Sequence, residues 1–96
     1  MSLEELLKKN KNRIMKIAQK YGAKNIRVFG SVARHQATAS SDIDLLVDME
    51  PDRSLFDMGG FLSEAQKILG CRVDVFTEKM LRKRIRTTVL KEAIKL

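Results

Sequence analysis

A chain with one cysteine, Cys71, has no internal disulfide open to it, and the expected home is a reducing cytoplasm. One histidine, His35, leaves no second imidazole with which to build a metal site, so His35 reads as a loop residue rather than a ligand or catalytic base. Aromatic residues are few and nowhere cluster into a stacking face, which weighs against single-stranded nucleic acid as the main ligand. No apolar run approaches the length of a membrane span. The opening Met1-Ser2-Leu3-Glu4-Glu5 leads into a lysine-rich amphipathic segment rather than a continuous apolar one, and repeats, low-complexity tracts and linkers are absent.

What is present fits one domain spanning residues 1–96. That length supports a single core but not a core plus a substrate-binding domain, so a large acceptor would have to come from outside. Nineteen Lys and Arg against twelve Asp and Glu give a net charge of +7. Such a surface favours nucleic acid, nucleotide phosphates or an acidic protein partner, and charge alone does not choose among them.

Apolar residues at Leu3, Leu6, Leu7, Ile14, Ile17, Ala18 and Tyr21 share one helical face, predicting a helix from Leu3 to Tyr21 that ends at Gly22. Its lysines read as a solvated face. Ile26 to Phe29 predicts a short strand that Gly30 breaks, followed by a polar loop from Ser31 to Ser41 that opens with a helical turn through Val32 to Arg34. A second strand places Ile43, Leu45 and Val47 on one face and Asp42, Asp44, Leu46 and Asp48 on the other. Glu50-Pro51-Asp52-Arg53 is turn chemistry and Ser54 a helix cap. Met58, Phe61, Leu62, Ala65, Ile68 and Leu69 keep helical spacing to Gly70. Cys71 to Phe76 predicts a third strand, and Leu81, Ile85, Val89 and Ala93, with Met80, Thr88 and Ile94 beside them, a helical tail in two pieces.

The chemistry concentrates in Gly30-Ser31 and Asp42-Ile43-Asp44. Alternation along a strand puts Asp42 and Asp44 on one side with Cα atoms roughly 6.5 to 7 Å apart, a spacing suited to carboxylates that share a divalent cation. Without a cation two such charges repel, and one takes up a proton. Gly30 allows close backbone approach to phosphates, and a helix start after it would aim N–H groups at an anion. Asp74, mid-strand among apolar residues, needs a partner because a buried lone carboxylate is costly. Metal binding supplies one; an ion pair with Arg72 or with a basic residue of the tail supplies another. The basic cluster Arg82, Lys83, Arg84 and Arg86 is placed either near bound phosphates or simply in solvent.

Gly30-Ser31, ten residues, then Asp42-x-Asp44 resembles the signature of the polymerase β nucleotidyltransferase superfamily. Ala33-Arg34 with Ser41-Asp42-Ile43-Asp44-Leu45 is similar to its minimal nucleotidyltransferase branch. The resemblance covers nearly the whole chain and implies an α/β (α+β) fold, a small mixed sheet flanked by helices. It implies that Asp42 and Asp44 bind two Mg²⁺ ions, with Asp74 the third carboxylate of the metal and catalytic set. It implies that Gly30, Ser31, Arg34 and Ser41 hold the nucleoside triphosphate, with ATP as substrate. Many minimal members are MntA-type antitoxins paired with a HepT-type HEPN-domain toxin, an RNase. The function implied is transfer of AMP from ATP to a tyrosine hydroxyl of that toxin. The chain departs from the family pattern at His35-Gln36, where Gly and an acidic residue are frequent, and at Ala39, where proline is frequent. Two alternatives accompany this reading: a binding-only antitoxin or regulatory subunit of the same fold, and an RNA-directed nucleotidyltransferase. RNA contact and a homo-oligomer stay open; a membrane partner is not expected.

Overall fold

The computed structural model describes residues 1–96. Its elements in order are α1 (Leu3–Lys9), α2 (Lys11–Tyr21), β1 (Ala23–Phe29), α3 (Gly30–Ala33), β2 (Ile43–Met49), α4 (Leu55–Leu69), β3 (Val73–Phe76), a 3-10 turn (Glu78–Met80), α5 (Lys83–Glu92) and β4 (Ile94–Lys95). The strands form one mixed sheet in the order β3-β2-β1-β4. β1 is antiparallel to both β2 and β4, and β2 is parallel to β3. A parallel neighbour cannot be reached by a hairpin, and α4 is the crossover that makes the β2–β3 pairing possible.

The expected helix from Leu3 to Tyr21 is two helices. Asn10 sits between them outside helical geometry (φ −103°, ψ 11°), its side-chain amide donating to the Leu6 carbonyl at 2.9 Å. A short amide side chain competes with the main chain for helical partners in this way, and no apolar residue between Leu7 and Ile14 resists the break. β1 starts at Ala23, three residues before the expected Ile26, because a bulge between Lys24 and Arg27, with Asn25 at φ 50°, interrupts the alternation that marks a strand. β3 starts at Val73 rather than Cys71. The tail is in two pieces as expected, but Ile94 leaves the helical face and joins β4, pairing with Val28.

Both faces of the sheet are covered. Ile26, Val28, Ile43, Leu45, Val47, Val73 and Val75 face the main core against Ile14, Ile17, Met58, Phe61 and Ala65 of α2 and α4. Phe61 and Ile14 are fully buried there. Gly60 lets the Tyr21 ring lie against the α4 backbone, and the Tyr21 hydroxyl donates to Glu64. Ser54 and Asp57 cap α4 reciprocally, with the Ser54 N–H donating to Asp57 at 3.0 Å. On the opposite face a smaller cluster gathers Phe29, Leu46, Leu81 and Val89, with Phe76 and Ala93 against it. The side chains that alternate with the main-core residues therefore point towards α5. No helix is long and apolar enough to cross a membrane.

Candidate active site

Asp42, Asp44 and Asp74 lie on the α5 side of the sheet, at the starting ends of β2 and β3. The parallel register sets Asp44 directly beside Asp74, and the antiparallel register sets Asp44 opposite Phe29, the residue before Gly30. Strand pairing alone thus brings together three segments far apart in sequence. Gly30 is buried at φ 75°, and a Cβ built there would collide with Asp44 Oδ2. Only glycine combines that backbone angle with that clearance.

The electrostatics follow from crowding. Burial first, then the charges of Asp74 and Asp42, push the Asp44 carboxyl up to about 6, with Glu92 adding in the same sense and Arg34 opposing. Asp42 Oδ1 lies 2.9 Å from Arg72 Nε. That oxygen is buried, and the Arg72 contact lacks hydrogen-bond alignment, so it has no true donor. Arg72 is mostly exposed, and its partner is Asp42, not Asp74, for which it was one of the alternatives to a metal. Asp74 itself is exposed. The three carboxylates do not converge into a ready-made cage: no group of three or more His, Cys, Asp or Glu side chains is placed to hold a metal ion. Crowding shows as a raised proton affinity at Asp44, while Asp42 has the Arg72 guanidinium beside it. A donor set made only of carboxylate oxygens, with one oxygen orphaned, fits a hard divalent cation such as Mg²⁺.

The Gly-Ser end differs in detail from expectation. α3 begins at Gly30, two residues before the expected turn. The Gly30 N–H is already engaged, donating to Glu92 Oε1 at 3.1 Å. Arg34 reaches the same carboxylate, with Nη1 at 3.2 and 3.1 Å from its two oxygens. Ser31 is half-buried, its carbonyl accepting from the Gln36 N–H at 2.9 Å. Ser41 acts within its own loop, where its hydroxyl accepts from the Thr38 N–H at 2.9 Å. His35 adopts φ 58° and its ring Nδ1 lies 2.8 Å from Glu4. The departure from the family's frequent glycine thus falls where the main chain is left-handed, and the tie to α1 accompanies it. Asp48 is an exposed charge, as its place further along the strand suggests, paired with Arg27 at 2.9 Å.

Glu92 was not legible as a site residue. It is the sole acidic residue from Lys79 to Leu96, and that isolation among cations was the available signal. Of the tail's basic residues, Arg86 turns inward: Nη2 donates to the Leu81 carbonyl at 3.0 Å, while Nε is buried without a partner. Two cavities of about 340 and 240 Å³ are lined by none of the three aspartates.

A family model described as nucleotidyltransferase domain matches residues 8–96. Protein adenylyltransferase MntA of Thermococcus cleftensis is 34% identical over 92 residues, 96% of this chain and 90% of the relative. A Methanocaldococcus jannaschii protein described as a candidate protein adenylyltransferase is 36% identical over 84 residues, 88% of this chain and 90% of its own length. A solved chain described as a candidate minimal nucleotidyltransferase superposes with TM-score 0.88 at 42% identity, over 100% of this chain and 97% of that one. A toxin–antitoxin structure solved with AMP-PNP shares the fold at TM-score 0.73 and 19% identity, over 90% of this chain and 71% of that one. The α/β fold with a mixed sheet, the register that sets Asp44 beside Asp74 and Gly30, and these likenesses agree: the chain belongs to the nucleotidyltransferase domain family.

Proposed function

We propose that the chain is a Mg²⁺-dependent protein adenylyltransferase and antitoxin, transferring AMP from ATP to a tyrosine hydroxyl of a partner HEPN-domain toxin. The observation that carries this reading is the packing of Asp44 against Gly30 and beside Asp74, with an orphaned oxygen on Asp42. Asp42 is paired with Arg72 and Asp74 is solvated, but Asp44, buried beside both, has its proton affinity raised. That arrangement costs stability and is accounted for by a role towards a cation and a triphosphate. The similarity to a protein adenylyltransferase named MntA supports a protein acceptor over RNA. The exposure of Asp74 suits an acceptor presented by another protein.

Asp42, Asp44 and Asp74 would hold Mg²⁺, which when bound neutralises phosphate charge and polarises the reacting phosphoryl group. Ser31 and Arg34 orient the triphosphate by hydrogen bonds and charge, and Ser41 shapes the loop that leads into Asp42. Asp74, exposed at the edge of the group, accepts the proton of the incoming hydroxyl. The acceptor oxygen bonds to the α-phosphorus, the bond from that phosphorus to the bridging oxygen breaks, and pyrophosphate leaves with its electron pair.

The test is to purify the chain with its co-purifying partner, add ATP and Mg²⁺, and weigh both proteins by intact mass spectrometry. Addition of AMP to the partner, lost with Asp42→Asn or Asp44→Asn, is the expected result. Neutralisation that persists unchanged in the double variant, with no mass added, would establish a binding-only antitoxin instead.

A further inference from the structure

We propose that Glu92 is a positioning residue for the triphosphate-binding turn, an inference that rests on the nucleotidyltransferase reading above. Its carboxylate is four-fifths buried at the end of α5 and takes donors from both ends of α3. The Gly30 N–H donates at 3.1 Å, and the Arg34 guanidinium lies 3.1 Å from Oε2. These contacts bridge 62 and 58 residues of sequence and tie the tail to the turn.

The physical need is specific. A glycine at φ 75° has no side chain to hold its peptide plane, and the glycine main chain has the widest range of alternatives. Here the Cα side of Gly30 is closed by Asp44 and the N–H side by Glu92, so the peptide is fixed between two carboxylates. Arg34, half-exposed, would otherwise sample many rotamers; the Glu92 contact preorganises it while leaving its Nε and Nη2 donors for a phosphate. Glu92 is itself anchored. Two residues later Ile94 pairs with Val28 of β1, which holds the main chain carrying Glu92 beside α3. The competing role is one in which the carboxylate blocks donors and leaves when phosphate arrives. The two roles predict opposite signs.

The experiment uses the full chain, Glu92→Ala and the near-isosteric Glu92→Gln, with AMP-PNP and Mg²⁺ as probe in calorimetric titration. Amide hydrogen exchange at Gly30 is followed by NMR without nucleotide. Glu92→Ala is expected to speed Gly30 exchange and to weaken AMP-PNP binding, each on the order of tenfold, from the loss of charge-assisted hydrogen bonds. Glu92→Gln keeps an acceptor for Gly30 but not the charge for Arg34, so it should restore slow exchange and recover affinity only in part. Exchange protection restored by glutamine with unfolding midpoints held constant marks the tether itself rather than global stability. AMP-PNP affinity equal to that of the wild type in both variants overturns the proposal, and tighter binding overturns it in favour of a blocking carboxylate. A wild-type chain that binds no AMP-PNP removes the nucleotidyltransferase reading and with it this role, a result distinct from variants that match a binding-competent wild type.

Discussion

Replacing Asp44 by asparagine should stabilise the metal-free protein at neutral pH. In the folded chain the carboxyl is pushed up to about 6 from 3.8, by burial first and by Asp74 and Asp42 next. The native state therefore binds more protons than the unfolded state between those values. Stability that is fully present below pH 3.8 is lost as pH rises through 6. About two pH units at 1.36 kcal/mol each set a ceiling of roughly 3 kcal/mol. The side chain is only partly shielded from water, so screening reduces this to about 1 to 2 kcal/mol. Each kcal/mol corresponds to a shift of roughly 4–8 °C in Tm for a domain of this size. Thermal unfolding followed by circular dichroism in EDTA, from pH 4 to 8, should show Asp44→Asn gaining on the wild type as pH rises. The two should coincide near pH 4, where both side chains are neutral. Magnesium should then raise the wild-type Tm at pH 7.5 more than the variant's, because the variant keeps Asp42 and Asp74 but lacks the crowded Asp44 charge that the cation offsets. A variant less stable than the wild type at pH 7.5 in EDTA would refute the reasoning, since it would mean that the ionised carboxylate is satisfied within the fold.

Gly30→Ala should lose roughly 1–3 kcal/mol of stability and all nucleotide transfer, since an alanine must adopt the left-handed angle and displace Asp44; chemical denaturation and the intact-mass assay check the two parts. Arg72→Gln should lower the Mg²⁺ concentration needed for half-maximal stabilisation by a few-fold, because the guanidinium now competes for Asp42, while stability in EDTA shifts by less than about 1 kcal/mol for so exposed an ion pair. His35→Gly should leave Tm within the equivalent of about 1 kcal/mol of the wild type, as relief of the left-handed angle offsets the lost Glu4 contact and the greater freedom of the unfolded chain. A large loss in that variant would show that the tie to α1 is structural.

Strand faces were legible because alternation is a local property. Ile43, Leu45 and Val47 on one side and Asp42, Asp44 and Leu46 on the other follow from a period of two residues, and the core confirms the split. The stop at Gly22, the Ser54 cap and the end of α4 at Gly70 were legible for the same reason, since each depends on one residue's conformational preference. The break at Asn10 and the bulge at Asn25 were hidden, because an asparagine whose amide bonds the Leu6 carbonyl, or the Asp48 carboxylate across the sheet, looks in sequence like any solvated polar residue.

The residues themselves determined the chemistry on offer: a glycine turn, two aspartates one residue apart, a third aspartate inside an apolar strand, and a surplus of cations with a single acid in the tail. They did not determine which of these groups meet. Parallel pairing of β2 with β3 put Asp44 beside Asp74, and antiparallel pairing with β1 put Gly30 against Asp44. The sheet order carried Glu92, on the last helix, to Gly30 and Arg34. Contacts between residues 14 to 62 positions apart depend on register and crossover, which are settled when buried faces find each other. Periodicity therefore marked the aspartates as a candidate site, and only the folded sheet showed that Asp42 lies against Arg72, that Asp44 is the crowded carboxyl, and that the glycine's N–H already has a partner.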